Sequence, residues 1–188
     1  MNLPNKLTVV RIVLTPFFLA AMLLKLNNNI NYLIAAVIFI AASVTDFLDG
    51  RIARKNGIVT TFGKLCDPLA DKMLTTAALL AFMQLGVCNI WIVMTVLTRE
   101  FLITSFRLVA AAQGVVIAAG KAGKLKTASQ MIFSIIIMFL LFFADILGIE
   151  QATVSLISTI LLGITAALAV ISGVKYIIDG KKVIDFSK

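Results

Sequence analysis

Four aspartates lie within 26 positions of one another in the first half of the chain: Asp46, Asp49, Asp67 and Asp71. The sequence contains no histidine, so carboxylates, amines, guanidinium groups and hydroxyls are the groups available for chemistry. Carboxylate oxygens favour hard cations such as Mg²⁺ or Mn²⁺ over zinc or copper. Four carboxylates suffice to bridge two such ions, an arrangement that clamps a phosphoryl group during a displacement reaction. The aspartates therefore predict a two-cation site that acts on phosphate.

The aspartates alternate with small residues at helical spacing. One set follows the pattern i, i+3, i+4, i+7 and shares a helix face: Asp46, Asp49, Gly50 and Ala53. A second set repeats every four residues: Gly63, Asp67 and Asp71. The short 55–62 connection predicts that the two helices are antiparallel neighbours whose faces meet. Glycines let a ligand approach the backbone, while Arg54 and Lys64 stand nearby for phosphate oxygens.

Clustered aspartates also occur in proteins that transfer no phosphoryl group. Four like charges repel one another at a low-dielectric boundary, so protons or cations must compensate for them. Aspartates that cap helix ends or form surface ion pairs would need no ligand. A divalent-cation transporter would use them as a permeation site, and an aspartate-rich prenyltransferase would use them to hold Mg²⁺ on pyrophosphate.

The composition determines which elements can position these residues. Of 188 residues, 61% are hydrophobic and 14% are charged, and the mean hydropathy is +1.06. A soluble domain has about 45–50% apolar and about 25% charged residues, so a soluble fold and disorder are both excluded. The apolar runs are continuous and not alternating, which excludes a transmembrane barrel. We expect an all-α integral membrane protein that forms a single domain over residues 1–188.

Six uncharged stretches predict a bundle of six transmembrane helices. At about 20 residues per span, the predicted helices cover residues 7–26, 31–52, 66–87, 89–112, 126–147 and 153–177. Cys66 and Cys88 flank one span and lie about 33 Å apart along it, so no disulfide between them is expected.

The charges predict the orientation of the bundle. An even number of spans places both termini on one side, and the connections on the other side contain only Lys25 among the 17 basic residues. By the positive-inside rule the termini are cytoplasmic. The same rule accounts for the net charge of +8 without a nucleic-acid partner. The four aspartates then lie at the cytoplasmic end of the bundle.

The spacing of the aspartates and small residues matches a known pattern. The sequence Asp46-x2-Asp49-Gly50-x2-Ala53-Arg54-x8-Gly63-x3-Asp67-x3-Asp71 resembles the complete signature of the CDP-alcohol phosphatidyltransferase family. The resemblance implies a homodimeric six-helix membrane enzyme that moves a phosphatidyl group from a CDP-linked lipid to an alcohol and releases CMP. It also implies two divalent cations, Mg²⁺ or Mn²⁺.

The resemblance assigns roles to individual positions. It implies that Asp46, Asp49 and Asp67 bind one metal ion, and that Asp71 joins the second metal site and acts as the catalytic base. The remaining signature residues would contact the CDP portion: Gly50, Ala53, Arg54 and Gly63.

Shorter motifs concern the acceptor alcohol. The segments 2–8 with Arg11, 98–100, and 123–127 with Gln130 resemble the bacterial phosphatidylglycerophosphate synthases within this family. They imply CDP-diacylglycerol as donor, sn-glycerol 3-phosphate as acceptor, and a multi-pass protein of the bacterial cytoplasmic membrane whose active site faces the cytoplasm. Serine, an inositol phosphate or phosphatidylglycerol are the alternative acceptors.

The charged residues agree with an anionic acceptor. Arg99 and Glu100 fall near the middle of a predicted span, where charge is rare and usually faces a cavity, and Arg107 shares that face. Three lysines cluster just before the predicted fifth helix: Lys121, Lys124 and Lys126. We expect these five basic residues to hold the acceptor phosphate. A structural Arg99–Glu100 pair and lysines that anchor lipid headgroups are the alternative.

Overall fold

The computed structural model describes residues 3–26, 29–56, 61–113 and 120–180, with the backbone alone for 3–7, 46–56, 61–68, 71, 112 and 121. These ranges form six α-helices joined by short connections. They are α1 (Leu3–Leu23), α2 (Ile30–Asn56), α3 (Thr61–Gln84), α4 (Ile90–Ala112), α5 (Lys121–Leu147) and α6 (Gln151–Gly180). Each predicted helix therefore has its counterpart.

The helix ends differ from the prediction. Helix α1 begins at Leu3 and not at residue 7, α3 begins at Thr61 and not at residue 66, and α5 begins at Lys121 and not at residue 126. The prediction followed the apolar runs. Helical hydrogen bonds are local to the backbone, so a helix continues through polar residues beyond its apolar stretch. As a consequence, Lys121, Lys124 and Lys126 belong to the first two turns of α5 and do not precede it.

Two tight turns separate helices at one end of the bundle. Between α3 and α4, Gly86 adopts a φ of 74°, and the side chain of Asn89 caps α4 by accepting a hydrogen bond from the Trp91 backbone N–H at 2.9 Å. Between α5 and α6, Gly148 ends α5 with a φ of 64°. Glycine adopts this left-handed conformation without steric cost. Both turns reverse the chain within a few residues.

Hydrogen bonds between distant residues place three connections at the same end. Asn29, just before α2, donates through Nδ2 to the backbone oxygen of Leu141 near the end of α5, at 3.4 Å. Ser155, at the start of α6, donates through Oγ to the backbone oxygen of Gly86 at 3.1 Å. The end of α2 and the start of α3 therefore lie at the opposite end of the bundle, together with the end of α4 and the start of α5.

Helix α1 packs against both α2 and α3. The rings of Phe18 on α1 and Phe39 on α2 are 5.5 Å apart, and both side chains are fully buried. Helix α5 packs on α2 and α6, and α4 packs chiefly on α6. In the described residues α2 and α3 touch each other at few positions. The predicted α2–α3 pairing is therefore limited, because a short connection joins helix ends but does not set how far two helices stay in contact.

The surface of the bundle is rich in large apolar side chains. Examples from six helices are Phe17, Val37, Leu69, Trp91, Leu147 and Ile171. Two helices of the described chain, Ala122–Leu147 and Gln151–Gly180, are long and apolar enough to cross a membrane, whereas Thr8–Leu23 and Ile30–Thr45 are shorter apolar stretches. An apolar exterior is typical of a protein whose surroundings are lipid.

Candidate functional site

The backbone places the aspartate motif at matching levels of two helices. Asp46 is ten residues before the end of α2, and Asp71 is ten residues after the start of α3. At 1.5 Å per residue, both are about 15 Å from the ends that the 57–60 connection joins. Asp49 and Asp67 are both about 10 Å from those ends. The motif positions therefore form two pairs of equal depth.

The side chains of the signature lie outside the described part of the structure, and so does that of Lys121. The predicted positions concerned are Asp46, Asp49, Gly50, Ala53, Arg54, Gly63, Asp67, Asp71 and Lys121. In the side chains that are described, no group of three acidic, cysteine or histidine residues could hold a metal ion. The donor set offered by the motif consists of carboxylates alone, which fits a hard divalent cation.

A charged cluster, formed by Lys72, Arg99, Glu100 and Lys126, joins α3, α4 and α5. Glu100 Oε1 accepts from Arg99 Nη1 at 3.1 Å and from Lys126 Nζ at 2.5 Å, and Glu100 Oε2 lies 3.6 Å from Lys72 Nζ. One carboxylate thus contacts three cations. Its three positive charges and one negative charge give the cluster a net charge of +2. The cluster is therefore suited to attract an anion.

Lys126 is the most enclosed member of the cluster. Its side chain is 2% exposed, and its ammonium also donates to Gln130 Oε1, one turn further along α5, at 2.6 Å. A buried ammonium needs such partners because removing it from water is costly. The sequence reasoning expected Lys126 to lie among lysines flanking the helix. The structure instead places it inside the bundle.

The Arg99 side chain extends from α4 to α6 and passes close to Gly173 on α6 and Gly123 on α5. Its Nη2 donates to Ser172 Oγ at 3.1 Å, and the side chain is 13% exposed. A Cβ atom at Gly173 on α6 would lie 3.1 Å from Arg99 Cγ, and one at Gly123 on α5 would lie 3.6 Å from Arg99 Nη2. The absence of a side chain at Gly173 leaves room for the arginine, whereas a Cβ at Gly123 would make an ordinary van der Waals contact.

Lys72 on α3 was not among the predicted site residues. Its Nζ donates to the backbone oxygen of Glu100 at 3.1 Å and to the hydroxyl of Thr104. The signal in the sequence was its place directly after Asp71, but nothing in the spacing relates it to α4.

Two of the predicted acceptor residues stand apart from the charged cluster. Arg107 on α4 and Lys124 on α5 are both exposed, and neither makes the contacts that hold the cluster together. The expected shared face of Glu100 and Arg107 therefore does not bring Arg107 to the carboxylate, because Glu100 turns toward α3 and α5 while Arg107 faces outward. The structure thus brings together Arg99 and Lys126 from the predicted set.

The sequence pattern of one protein family extends over nearly the whole chain. The family described as CDP-alcohol phosphatidyltransferase matches residues 1–177. The chain belongs to this family. The resemblance inferred from the eight signature residues is thereby confirmed, and the protein is an enzyme of the CDP-alcohol phosphatidyltransferase family.

Individual relatives are similar to this chain over most of its length. A CDP-diacylglycerol–glycerol-3-phosphate 3-phosphatidyltransferase of Bacillus subtilis is 45% identical over 141 residues, which cover 70% of this chain and 73% of that protein. A protein of the same name from Rickettsia typhi is 35% identical over 181 residues, covering 93% of this chain and 94% of the relative. A probable phosphatidylglycerophosphate synthase of Mycobacterium tuberculosis is 40% identical over 132 residues, covering 70% of this chain and 63% of the relative. This CDP-alcohol phosphatidyltransferase is thus similar to bacterial phospholipid-synthesising enzymes.

Proposed function

We propose that this enzyme transfers the phosphatidyl group of CDP-diacylglycerol to sn-glycerol 3-phosphate, forming phosphatidylglycerophosphate and releasing CMP. The observation that carries the proposal is the near full-length similarity to relatives that bear the name of this reaction. The complete eight-residue signature on α2 and α3 supports the donor and the chemistry. The charged cluster around Glu100 supports an anionic acceptor.

The enzyme acts within a bilayer in this proposal. All six helices cross the bacterial cytoplasmic membrane, both termini and the active site face the cytoplasm, and residues 1–188 form one domain. The apolar exterior and the two long apolar helices support membrane insertion. The uneven distribution of the 17 basic residues supports the orientation. A thiol-reactive probe on cysteines introduced at residue 25 or at the C-terminus reports which side each one occupies.

The aspartates are proposed as ligands of two Mg²⁺ or Mn²⁺ ions. Asp46, Asp49 and Asp67 would hold one ion, and Asp71 would join the second site. When bound, the ions neutralise the pyrophosphate and hold it in line for displacement. The matching depths of Asp46 with Asp71 and of Asp49 with Asp67 support this arrangement, because the four positions then lie within about one helical turn of one another along the bundle.

The remaining signature positions are proposed to bind the CDP portion. They are Gly50, Ala53, Arg54 and Gly63. Glycine and alanine allow the nucleotide to approach the helix backbone, and an arginine is suited to bidentate contact with phosphate oxygens. The lipid tails of the donor remain in the bilayer.

The acceptor phosphate is proposed to lie near Arg99 and Lys126. A phosphate monoester carries about two negative charges near neutral pH, which matches the two excess positive charges of the cluster. Lys121, Lys124 and Arg107 are proposed as further basic residues along the path of the acceptor. Serine is a zwitterion and does not need this surplus of positive charge.

The reaction is a displacement at phosphorus. Asp71 accepts the proton of the primary hydroxyl of glycerol 3-phosphate. The hydroxyl oxygen forms a bond to the β-phosphorus, which carries the diacylglycerol. The bond between that phosphorus and the bridging oxygen breaks, and CMP leaves with the electron pair.

Release of CMP by the purified enzyme tests the proposal. CDP-diacylglycerol is supplied with glycerol 3-phosphate, serine, inositol 1-phosphate or phosphatidylglycerol, each with Mg²⁺ and again with chelator. We expect metal-dependent release of CMP with glycerol 3-phosphate and no release with the other three alcohols. Release with another alcohol would keep the chemistry and replace the acceptor, and no release with any alcohol would favour a cation transporter. Sedimentation in detergent checks the homodimer, which the family resemblance implies.

A further inference from the structure

Lys72 is the one described side chain of α3 that enters the charged cluster. Its ammonium has three N–H donors and three oxygens of α4 around it. These are the Glu100 backbone oxygen at 3.1 Å, the Thr104 hydroxyl and the Glu100 carboxylate at 3.6 Å. The Thr104 hydroxyl in turn donates to the Glu100 backbone oxygen at 2.7 Å. The donors of Lys72 are therefore directed toward α4.

Lys72 contacts α4 far from the turn that joins the two helices. That turn, at 85–89, lies at the other end of α3, and α3 and α4 pack against each other at few positions. Lys72 lies eleven residues after the start of α3, next to Asp71 and at the level of the aspartate motif. At this level, polar contacts from Lys72 join α3 to α4.

We propose that Lys72 is a positioning residue that fixes the rotation of α3 against α4 and thereby the position from which Asp71 projects. Consecutive helical residues are about 100° apart around the axis, so anchoring residue 72 sets the direction of residue 71. The inference rests on the proposed function only in that Asp71 is taken as a metal ligand. It assigns Lys72 no contact with either substrate.

Lys72 can link the proposed metal-binding part of the site to the proposed acceptor-binding part. On one side lies the aspartate motif of α2 and α3, and on the other lie Arg99 and Lys126, which share Glu100 with Lys72. Loss of the Lys72 ammonium removes the tie between α3 and α4 but leaves the contacts of Glu100 with Arg99 and Lys126 in place. The expected defect is therefore chiefly in metal binding, with a smaller effect on acceptor binding because the cluster keeps one excess positive charge.

The test compares Lys72→Met, Lys72→Arg and Thr104→Val with Lys175→Met, which removes an exposed lysine from α6. Binding of Mn²⁺ to the purified full-length protein without substrates is measured from the electron paramagnetic resonance signal of the free ion. Partners that orient metal ligands typically contribute about 10–100-fold to metal affinity. We expect Lys72→Met to weaken Mn²⁺ binding by about tenfold, Thr104→Val to weaken it less, and Lys72→Arg to recover part of the loss. Lys175→Met should match the wild type.

Steady-state kinetics distinguish the other possible roles of Lys72. We expect the metal concentration for half-maximal activity to rise in Lys72→Met while the KM for glycerol 3-phosphate stays within about twofold. A lower Tm with unchanged Mn²⁺ affinity would make Lys72 merely structural and overturn the proposal. A raised KM with unchanged Mn²⁺ affinity would overturn it in favour of a substrate ligand.

The remaining variants keep the proposal testable if Lys72→Met does not fold. An Mn²⁺ affinity equal to that of the wild type in both Lys72→Arg and Thr104→Val would then contradict the proposal. If the wild type binds Mn²⁺ but does not use glycerol 3-phosphate, the proposed acceptor is wrong. The Mn²⁺ comparison between Lys72→Met and Lys175→Met then still supports or overturns the role of Lys72.

Discussion

Lys126 Nζ on α5 lies 2.5 Å from Glu100 Oε1 on α4, and the lysine side chain is almost completely buried. A single carboxylate thus holds an enclosed ammonium while also contacting Arg99 and Lys72. Removal of one partner from a buried pair is far more costly than its surface equivalent, because the other charge remains without compensation. The stability of the packing between α3, α4 and α5 therefore depends strongly on Glu100.

Replacement of Glu100 by glutamine should destabilise the enzyme by about 3 kcal/mol. This corresponds to a fall in Tm of roughly 6–12 °C for a chain of this size, measured by thermal unfolding of the detergent-solubilised protein. Glu150→Gln, at an exposed position in the α5–α6 connection, is the matched control and should unfold at the wild-type temperature. The double variant Glu100→Gln, Lys126→Met should regain part of the loss. Equal Tm values for Glu100→Gln and the wild type would contradict the importance of the pair.

Substitution of Gly173 by alanine should disturb Arg99. The added Cβ would come within 3.1 Å of Arg99 Cγ, so the arginine side chain must shift by a few tenths of an ångström, and we expect its hydrogen bond to Ser172 to weaken. We expect kcat/KM for glycerol 3-phosphate to fall by about fivefold, which corresponds to the loss of about one hydrogen bond's contribution to the transition state. Gly163→Ala on the same helix adds the same methyl group where no atom lies within 4 Å of the Cβ, and it should leave kcat/KM unchanged. A parallel loss in both variants would point to α6 itself and not to Arg99.

Asp71→Asn should abolish the chemical step if Asp71 is the base. General bases typically contribute about 10²–10⁴-fold, so CMP release should fall by at least about 100-fold while CDP-diacylglycerol still binds. Chelation should stop CMP release by the wild type, and added Mg²⁺ or Mn²⁺ should restore it. Full activity of Asp71→Asn would exclude its role as base, and loss of lipid binding would indicate that its main contribution is to metal assembly.

Cys88, in the turn between α3 and α4, should resist thiol reagents in the folded enzyme. Its side chain is 7% exposed, and burial raises the pKa of the thiol from its ordinary value of 9.0 to about 11. Near neutral pH, the reactive thiolate is therefore about 100-fold scarcer than for a free thiol. In a Cys66→Ala background, maleimide labelling of Cys88 at pH 7.5 should be slow in the folded protein and should become fast once a denaturing detergent unfolds it. Rapid labelling of the folded protein would show that the turn opens.

The same pKa shift predicts a loss of stability in alkaline solution. The folded state favours the neutral thiol, so the stability linked to Cys88 is fully present below pH 9 and is lost as the pH rises toward 11. Between these values the Tm of the wild type should fall more steeply than that of Cys88→Ala. Identical slopes for the two proteins would contradict the linkage.

The six helices could be predicted because long apolar stretches are separated by polar, turn-forming segments. Sequence reasoning misplaced the start of α5 because the lysines at 121–126 resemble a polar flank, and a hydrophobic pattern cannot show that Lys126 turns inward. Lys72 was missed for a related reason. Its partners lie 28 and 32 positions away on α4, a relationship that packing creates and that no local spacing reveals.

The packing of α1 against both α2 and α3 has a consequence for the time course of assembly. Helix α3 ends at Gln84, 61 residues after α1 ends at Leu23. At synthesis rates of about 5–20 residues per second, that interval lasts roughly 3–12 s. Throughout it, the face of α1 that α3 will cover lacks its partner. In the described residues α1 packs on α2 and α3 alone, so it gains all its helix neighbours before α2 and α3 do, since both of these also pack on α5.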